Sequence, residues 1–154
     1  MGGVSASWRA ALALAVLAVT GPVLTACGSP GDLAAYREEA STSVAGASSS
    51  LATIQVALQQ WAAGRSPSPA TSVLVGDADT AMSGVVDGFA ALDPPEPRAD
   101  EVRSRVLPVL DRAEQVAAEG RTALSRNDIE SARQASEQMQ SVLDDLDATA
   151  VTLR

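Results

Sequence analysis

The stretch Asp32–Trp61, DLAAYREEASTSVAGASSSLATIQVALQQW, decides the fold. Apolar residues recur along it at alternating intervals of three and four: Ala40, Val44, Ala47, Leu51, Ile54, Leu58 and Trp61. That spacing puts one apolar stripe on a helix of about thirty residues, roughly 45 Å long. Arg37 interrupts the series near its start, so the stripe is expected to continue through Tyr36. Asp32 is a suitable N-cap, and Gly64 with the prolines after it should end the helix.

Three further apolar stripes follow the first one. The second contains Val75, Ala78, Met82, Val85, Phe89 and Leu92; the third contains Ala99, Val102, Val106, either Val109 or Leu110, Ala113, Val116 and Leu124; the fourth contains Ala132, Ala135, Met139, Val142, Leu146 and Ala150. Short connections rich in turn-forming residues separate the stripes, at residues 64–69, 93–97 and 120–127. Helices joined in this way pack up, down, up, down. Residues 32–154 are therefore predicted to form an all-α, antiparallel four-helix bundle.

Several residues within these helices or at their ends carry specific expectations. Three glycines weaken the second helix by about 1 kcal/mol each relative to Ala, which predicts close approach of a neighbouring helix rather than a hinge. They are Gly76, Gly84 and Gly88. Pro108 removes a backbone hydrogen bond inside the third helix and predicts a kink there. Asn127, three residues before Glu130, is predicted to be the N-cap of the fourth helix.

A short segment, residues 1–9, precedes an apolar run, Ala10–Leu24. Arg9 is the one basic side chain in that first segment. In a helix this run spans about 22 Å, less than a hydrocarbon core of about 30 Å, so a secretory signal is favoured over a membrane span. The residues that follow, Leu24-Thr25-Ala26-Cys27, match the lipobox position by position and resemble that of bacterial lipoproteins. The resemblance implies cleavage between Ala26 and Cys27, a diacylglyceryl group on the Cys27 sulfur, and anchoring at the extracytoplasmic face of the cell membrane.

This resemblance divides the chain into a signal peptide (1–26), a lipidated tether (27–31) and the bundle (32–154). The alternative is an ordinary secretory signal with a chance cysteine, but a lone cysteine has no disulfide partner, which favours lipidation. Every basic residue is Arg, and the composition together with the proline corner Ala91–Glu96 resembles small helical exported proteins of actinobacteria. These resemblances imply a cellular location and a fold but no activity.

The net charge and the missing residue types exclude several classes of function. Removal of residues 1–26 leaves 10 Arg against 19 acidic residues, and the resulting net charge of −9 repels nucleic acid and anionic lipid headgroups. The chain has no His, and lipidation would occupy its single Cys, so a Ser-His-Asp triad, a His-metal site and a thiolate nucleophile are not expected. No cofactor or metal is expected either, because the carboxylate clusters are interpreted as solvated helix faces. These clusters are Asp77 with Asp79, and Asp144 and Asp145 with Asp147.

The expected function is that of a non-enzymatic envelope lipoprotein that acts by protein contact, as a scaffold or accessory subunit. Its candidate contact surface lies at the bundle end remote from the anchor, where the connections should gather Arg65, Arg121 and Arg126 beside Trp61. Alternatively, Arg121 and Arg126 complement the helix dipole and Trp61 covers the core. The alternative function is a ligand-binding or sensing module with a cavity in the bundle core. The residues that would line this cavity are Phe89, Met82, Trp61 and Met139.

Overall fold

The computed structural model describes residues 32–154, and these residues form four α-helices. The helices are α1 (Leu33–Ala62), α2 (Ser68–Ala90), α3 (Pro97–Ser125) and α4 (Ile129–Leu153). No strand occurs in this range, so the predicted all-α four-helix bundle is confirmed. None of these four helices is long and apolar enough to cross a membrane.

Successive helices run in opposite directions and pack side by side. Tyr36, at the start of α1, packs against Phe89, near the end of α2, with ring centroids 5.7 Å apart. Arg103 of α3 donates to the carbonyl of the last residue of α2 at 2.7 Å, and Arg112 of α3 pairs with Asp145 of α4 at 2.8 Å. α1 also packs against α3 and α4, whereas no Cα atom of α2 lies within 8 Å of one of α4. The start of α1, the α2–α3 connection and the end of α4 therefore share one end of the bundle. The other two connections form the opposite end, called the distal end below.

The core is built from the four predicted apolar stripes, and most of their members are fully buried. The stripe of α1 passes through Tyr36, as expected. The second stripe was wrong at two positions: Val86 is buried while Val85 is only partly buried against α1, and Leu92 lies after the end of α2 and is also only partly buried. In α3, Leu110 rather than Val109 fills the core position. The apolar spacing therefore located the core to within one residue along the chain.

The close helix approach occurs at a glycine other than those predicted. The prediction concerned the three glycines of α2: Gly76, Gly84 and Gly88. A Cβ added at any of them would meet no atom within 4 Å, so the expected close packing there is wrong. At Gly120 of α3, by contrast, an added Cβ would lie 2.6 Å from Cδ1 of Leu58 and 2.8 Å from Cε of Met139. Gly120 therefore lets α3 approach both α1 and α4, while the glycines of α2 have no packing role within the bundle.

Both connections at the distal end begin with a residue in the left-handed region. Gly64 (φ 70°) follows α1 and Asn127 (φ 55°) follows α3. In both cases the next N–H group donates to the carbonyl five residues earlier at 2.9 Å, which is the hydrogen bond of a Schellman motif. Asn127 therefore ends α3, and its predicted role as the N-cap of α4 is wrong. That cap is Asp128, whose carboxylate accepts from the N–H of Ser131 at 3.1 Å.

Helix α3 continues through Pro108, which lies on its exposed side. The proline ring deprives the carbonyl of Ser104 of its helical donor. Ser104 is exposed as well, so water can reach the unpaired carbonyl and the helix is uninterrupted from Pro97 to Ser125.

Candidate contact surface

Trp61 lies at the distal end of α1 and closes the core there. Its side chain is buried, and the indole N–H donates to the Oγ of Ser68, at the start of α2, over 2.9 Å. A second hydrogen bond of 2.9 Å joins the hydroxyls of Ser66 and Thr71 across the same connection. Trp61 therefore holds α1 and α2 together beneath the surface without being exposed on it.

Arg121 is held at the seam between α3 and α2. Its guanidinium forms an ion pair with Asp79, whose side chain is 11% exposed, whereas that of Arg121 is 55% exposed. A carboxylate at this depth requires a charged or hydrogen-bonded partner. The interpretation of Asp79 as part of a solvated face is therefore wrong, although Asp77 is exposed as expected. Within the bundle, Arg121 joins α3 to α2.

Arg126 is the C-cap residue of α3 and lines a polar groove between α3 and α4. The groove has a volume of about 440 Å³, and its walls include Gln115 and Glu119. Hydrogen bonds from the hydroxyl and the N–H of Ser131 lower the pKa of Asp128 below its ordinary value, and the positive charge of Arg126 lowers it further. Arg126 and the N-terminal cap of α4 therefore lie together in this groove.

Arg65 lines a different groove, between α1 and α2, with a volume of about 240 Å³. Its walls include Ala70 and two exposed aliphatic residues, Val56 (52% exposed) and Leu74 (47%). Val73, which precedes Leu74, is 65% exposed. These five residues, Val56, Arg65, Ala70, Val73 and Leu74, are called the α1–α2 patch below. The patch holds three of the five large aliphatic residues that are exposed within the described part of the chain.

The four residues predicted to form one contact surface are thus divided among three places. Trp61 lies at the end of α1 and Arg65 in the connection that follows, whereas Arg121 lies at the α2–α3 seam and Arg126 in the α3–α4 groove. Among the ion pairs within residues 32–154, none includes Arg65. Arg126 belongs to none of these ion pairs either, and Arg65 differs from it in sharing a groove with the exposed Val56 and Leu74.

Sequence analysis missed the aliphatic members of the α1–α2 patch. Val56, Val73 and Leu74 fall outside the apolar stripes, and the expectations drawn from helical spacing concerned only the residues of the stripes. The available signal was the adjacent pair Val73-Leu74, which widens the apolar part of α2 beyond the width needed to face a core.

Charge is distributed unevenly over the bundle, and the α1–α2 patch lies in its least charged half. No residue from Ala40 to Gly64, which is most of α1, is charged. Helix α2 has three charged residues, whereas α3 has ten and α4 has six. The outer face of a solvated helix normally carries charged and polar residues. The outer sides of α1 and α2 therefore carry fewer charges than those of α3 and α4.

The remaining sequence candidates do not form a second site in the described structure. The four residues considered for a core cavity are buried members of one hydrophobic core, and the four described grooves are lined by other residues. They are Phe89, Met82, Trp61 and Met139. Across residues 32–154, no group of Asp or Glu side chains is arranged to hold a metal ion.

The signal and lipidation residues, Leu24, Thr25, Ala26 and Cys27, lie outside the described residues. Comparison of the chain with protein-family models, curated proteins and solved structures finds no match. The function is therefore inferred from the residues and geometry of this chain.

Proposed function

We propose that the chain is a lipid-anchored protein of the bacterial envelope that works by binding another envelope protein, without catalysis. The observation that carries this proposal is the α1–α2 patch, where the exposed Val56 and Leu74 line a groove with Arg65 and the exposed Val73 adjoins Leu74 along the chain. Aliphatic groups next to an arginine, in a region with few other charges, are typical of binding surfaces. The lipobox-like sequence Leu24–Cys27 supports the membrane address.

The proposed anchor and the proposed contact surface are compatible in position. Residues 28–31 span up to about 13 Å when extended. Val56 lies twenty-three residues after Leu33, so α1 can hold the patch up to about 35 Å beyond its own first residue. A lipid on Cys27 would therefore tether the chain closely while leaving the patch accessible to a neighbouring envelope protein.

The contact function can be tested on the full chain, extracted with a mild detergent from the bacterium that produces it and separated on a native gel. The wild-type protein should migrate as a complex larger than the monomer, and the double variant Val56→Asp, Leu74→Asp should migrate as a monomer. The matched control is Val151→Asp, because Val151 is 64% exposed on α4, away from the patch. This control should retain the complex.

The same preparation tests the address. Cys27→Ser should move the protein out of the membrane fraction, because the sulfur that carries the lipid is removed. A wild-type protein that migrates as a monomer would contradict the contact function. Loss of the complex in the Val151→Asp control to the same extent as in the patch variant would contradict the assignment of the surface.

A further inference from the structure

We propose that the partner contributes a helix with basic side chains, and that this helix docks along the outer side of α2. The inference rests on the proposed contact function and names the chemistry of the partner. It is carried by exposed aliphatic side chains, by acidic groups without partners in the bundle, and by glycines that have no role inside it.

The outer side of α2 is long and consists mainly of small and aliphatic residues. The exposed residues that form it, opposite the buried stripe, are Ala70, Val73, Asp77, Thr80, Ala81, Gly84, Asp87 and Gly88. From the first to the last of these the helix rises about 27 Å, enough for a partner helix of about eighteen residues. Val73 and Leu74 supply the exposed aliphatic surface at its distal end.

A partner helix outside the bundle would account for the presence of glycines on this side of α2. A Cβ at Gly84 or Gly88 would meet no atom within 4 Å, so neither residue serves the packing of α2 against α1 or α3. Glycine nevertheless weakens the helix. Two glycines four residues apart lie on one side of a helix and allow the backbone of another helix to come close.

The charges on this side of α2 indicate that the partner helix is positively charged. Asp77 and Asp87 are exposed, and neither belongs to an ion pair among the described residues. The third acidic residue of α2, Asp79, is already paired with Arg121. Asp77 and Asp87 are ten residues apart, or about 15 Å along the axis. A helix with Arg or Lys at a similar separation would neutralise both.

Two other occupants fit these observations less well. A second copy of the chain would bring the acidic groups of two α2 helices together, on molecules that each carry a net charge of −9 without residues 1–26. A lipid surface favours helices that have Trp or Phe on the apolar side and Lys or Arg on the polar side. Helix α2 has no basic residue, and its one aromatic residue, Phe89, is buried.

The test uses the photoreactive amino acid p-benzoylphenylalanine, placed in the full chain at Val73 or, as a control, at the exposed Gln138 of α4. After irradiation of the intact cells, Val73 should yield a protein adduct and Gln138 should not. The cross-linked segment of the partner, identified by mass spectrometry, should have apolar residues at helical spacing together with Arg or Lys.

Variants then test the glycine and the charges with the probe kept at Val73. Gly84→Leu should reduce the adduct because the partner helix can no longer approach, while the urea midpoint of the purified protein should not fall, because the site is open. The double variant Asp77→Arg, Asp87→Arg should reduce the adduct roughly tenfold or more, since like charges across an interface are strongly unfavourable. Asp144→Arg, Asp147→Arg on the exposed side of α4 is the matched charge control and should leave the adduct unchanged.

An acidic partner segment, a second copy of this chain or a lipid in the Val73 adduct would overturn the inference, as would an adduct unaffected by both α2 variants. A protein adduct from Gln138 with none from Val73 would leave the contact function standing and reject its assignment to α2. Absence of a protein adduct from both positions would reject the contact function as well.

Discussion

Gly120→Ala is expected to destabilise the bundle, although alanine is the better helix former. The added Cβ would lie 2.6 Å from Cδ1 of Leu58 and 2.8 Å from Cε of Met139, and both side chains are fully buried. The ends of the Leu58 and Met139 side chains must both shift inside a closed core, and overpacking of this kind costs about 2 kcal/mol. The intrinsic preference of the helix for Ala over Gly returns about 1 kcal/mol. The free energy of unfolding should therefore fall by about 1 kcal/mol.

The matched control is Gly84→Ala on α2, where the added methyl group meets no atom within 4 Å. It should raise the free energy of unfolding by about 0.5–1 kcal/mol, because only the helix preference changes. Urea unfolding of both purified variants, followed by far-UV circular dichroism, measures the difference. If Gly120→Ala stabilised the protein as much as Gly84→Ala does, the close approach of α3 to α1 and α4 would be wrong.

Three further predictions concern polar groups in the bundle. The hydroxyl of Tyr36 is buried and has no hydrogen-bond partner among the described residues, so Tyr36→Phe should raise the free energy of unfolding by about 1 kcal/mol, and a comparable loss in urea titration would contradict this. Arg121→Met should cost about 1–3 kcal/mol, because it leaves the largely buried Asp79 unpaired, whereas Arg112→Met, whose partner Asp145 is half exposed, should cost less than about 1 kcal/mol; equal losses in thermal melts would argue against the difference in burial. Because the pKa of Asp128 is lowered in the folded chain, its ionised form stabilises the fold above the ordinary aspartate pKa and this stabilisation is lost as the pH falls through the lowered value. The stability difference between the wild type and Asp128→Asn, measured by urea unfolding, should therefore shrink as the pH is lowered below about 4, and a difference independent of pH would oppose this cause.

The four helices could be predicted because each needs a single apolar stripe, and a stripe leaves a period of three to four residues in the sequence. The choice between Val85 and Val86 could not be made in this way. They lie three and four residues after Met82, so both positions fit the spacing, and the rotation of α2 against α1 decides between them. Two adjacent apolar residues therefore mark the limit of periodicity as a guide to the core.

The glycines and ion pairs depend on neighbours that are distant in sequence. The sequence places Gly84 inside a helix and Gly120 in a connection, and only the packed bundle shows that Gly120 lies inside α3 with close neighbours, whereas Gly84 has none. In the same way, the sequence does not distinguish Asp79 from the exposed Asp77. Only the packing of α2 on α3 shows that Asp79 is largely buried and paired with Arg121. The spacing of residues along one helix therefore does not predict interactions between helices.

The candidate site was predictable in part. The position of Arg65 near Trp61 follows from their place at one helix end, and the structure keeps them at the same connection. The aliphatic residues beside Arg65 lie outside the apolar stripes, and spacing along one helix does not show that Val56 of α1 and Leu74 of α2 line one groove with Arg65. A contact surface is identified by what the fold leaves uncovered, and this becomes visible only after the core is assigned.

Anchoring through Cys27 is the central claim, because it sets both the address of the protein and the position of the α1–α2 patch relative to the bilayer. The most direct measurement is the intact mass of the chain extracted from membranes of the producing bacterium, with fragmentation of its N-terminus. The account predicts a chain that begins at Cys27 and carries a diacylglyceryl group on the sulfur of that residue. A chain that retains residues 1–26, or one that begins at another residue and has a free thiol at Cys27, would contradict it.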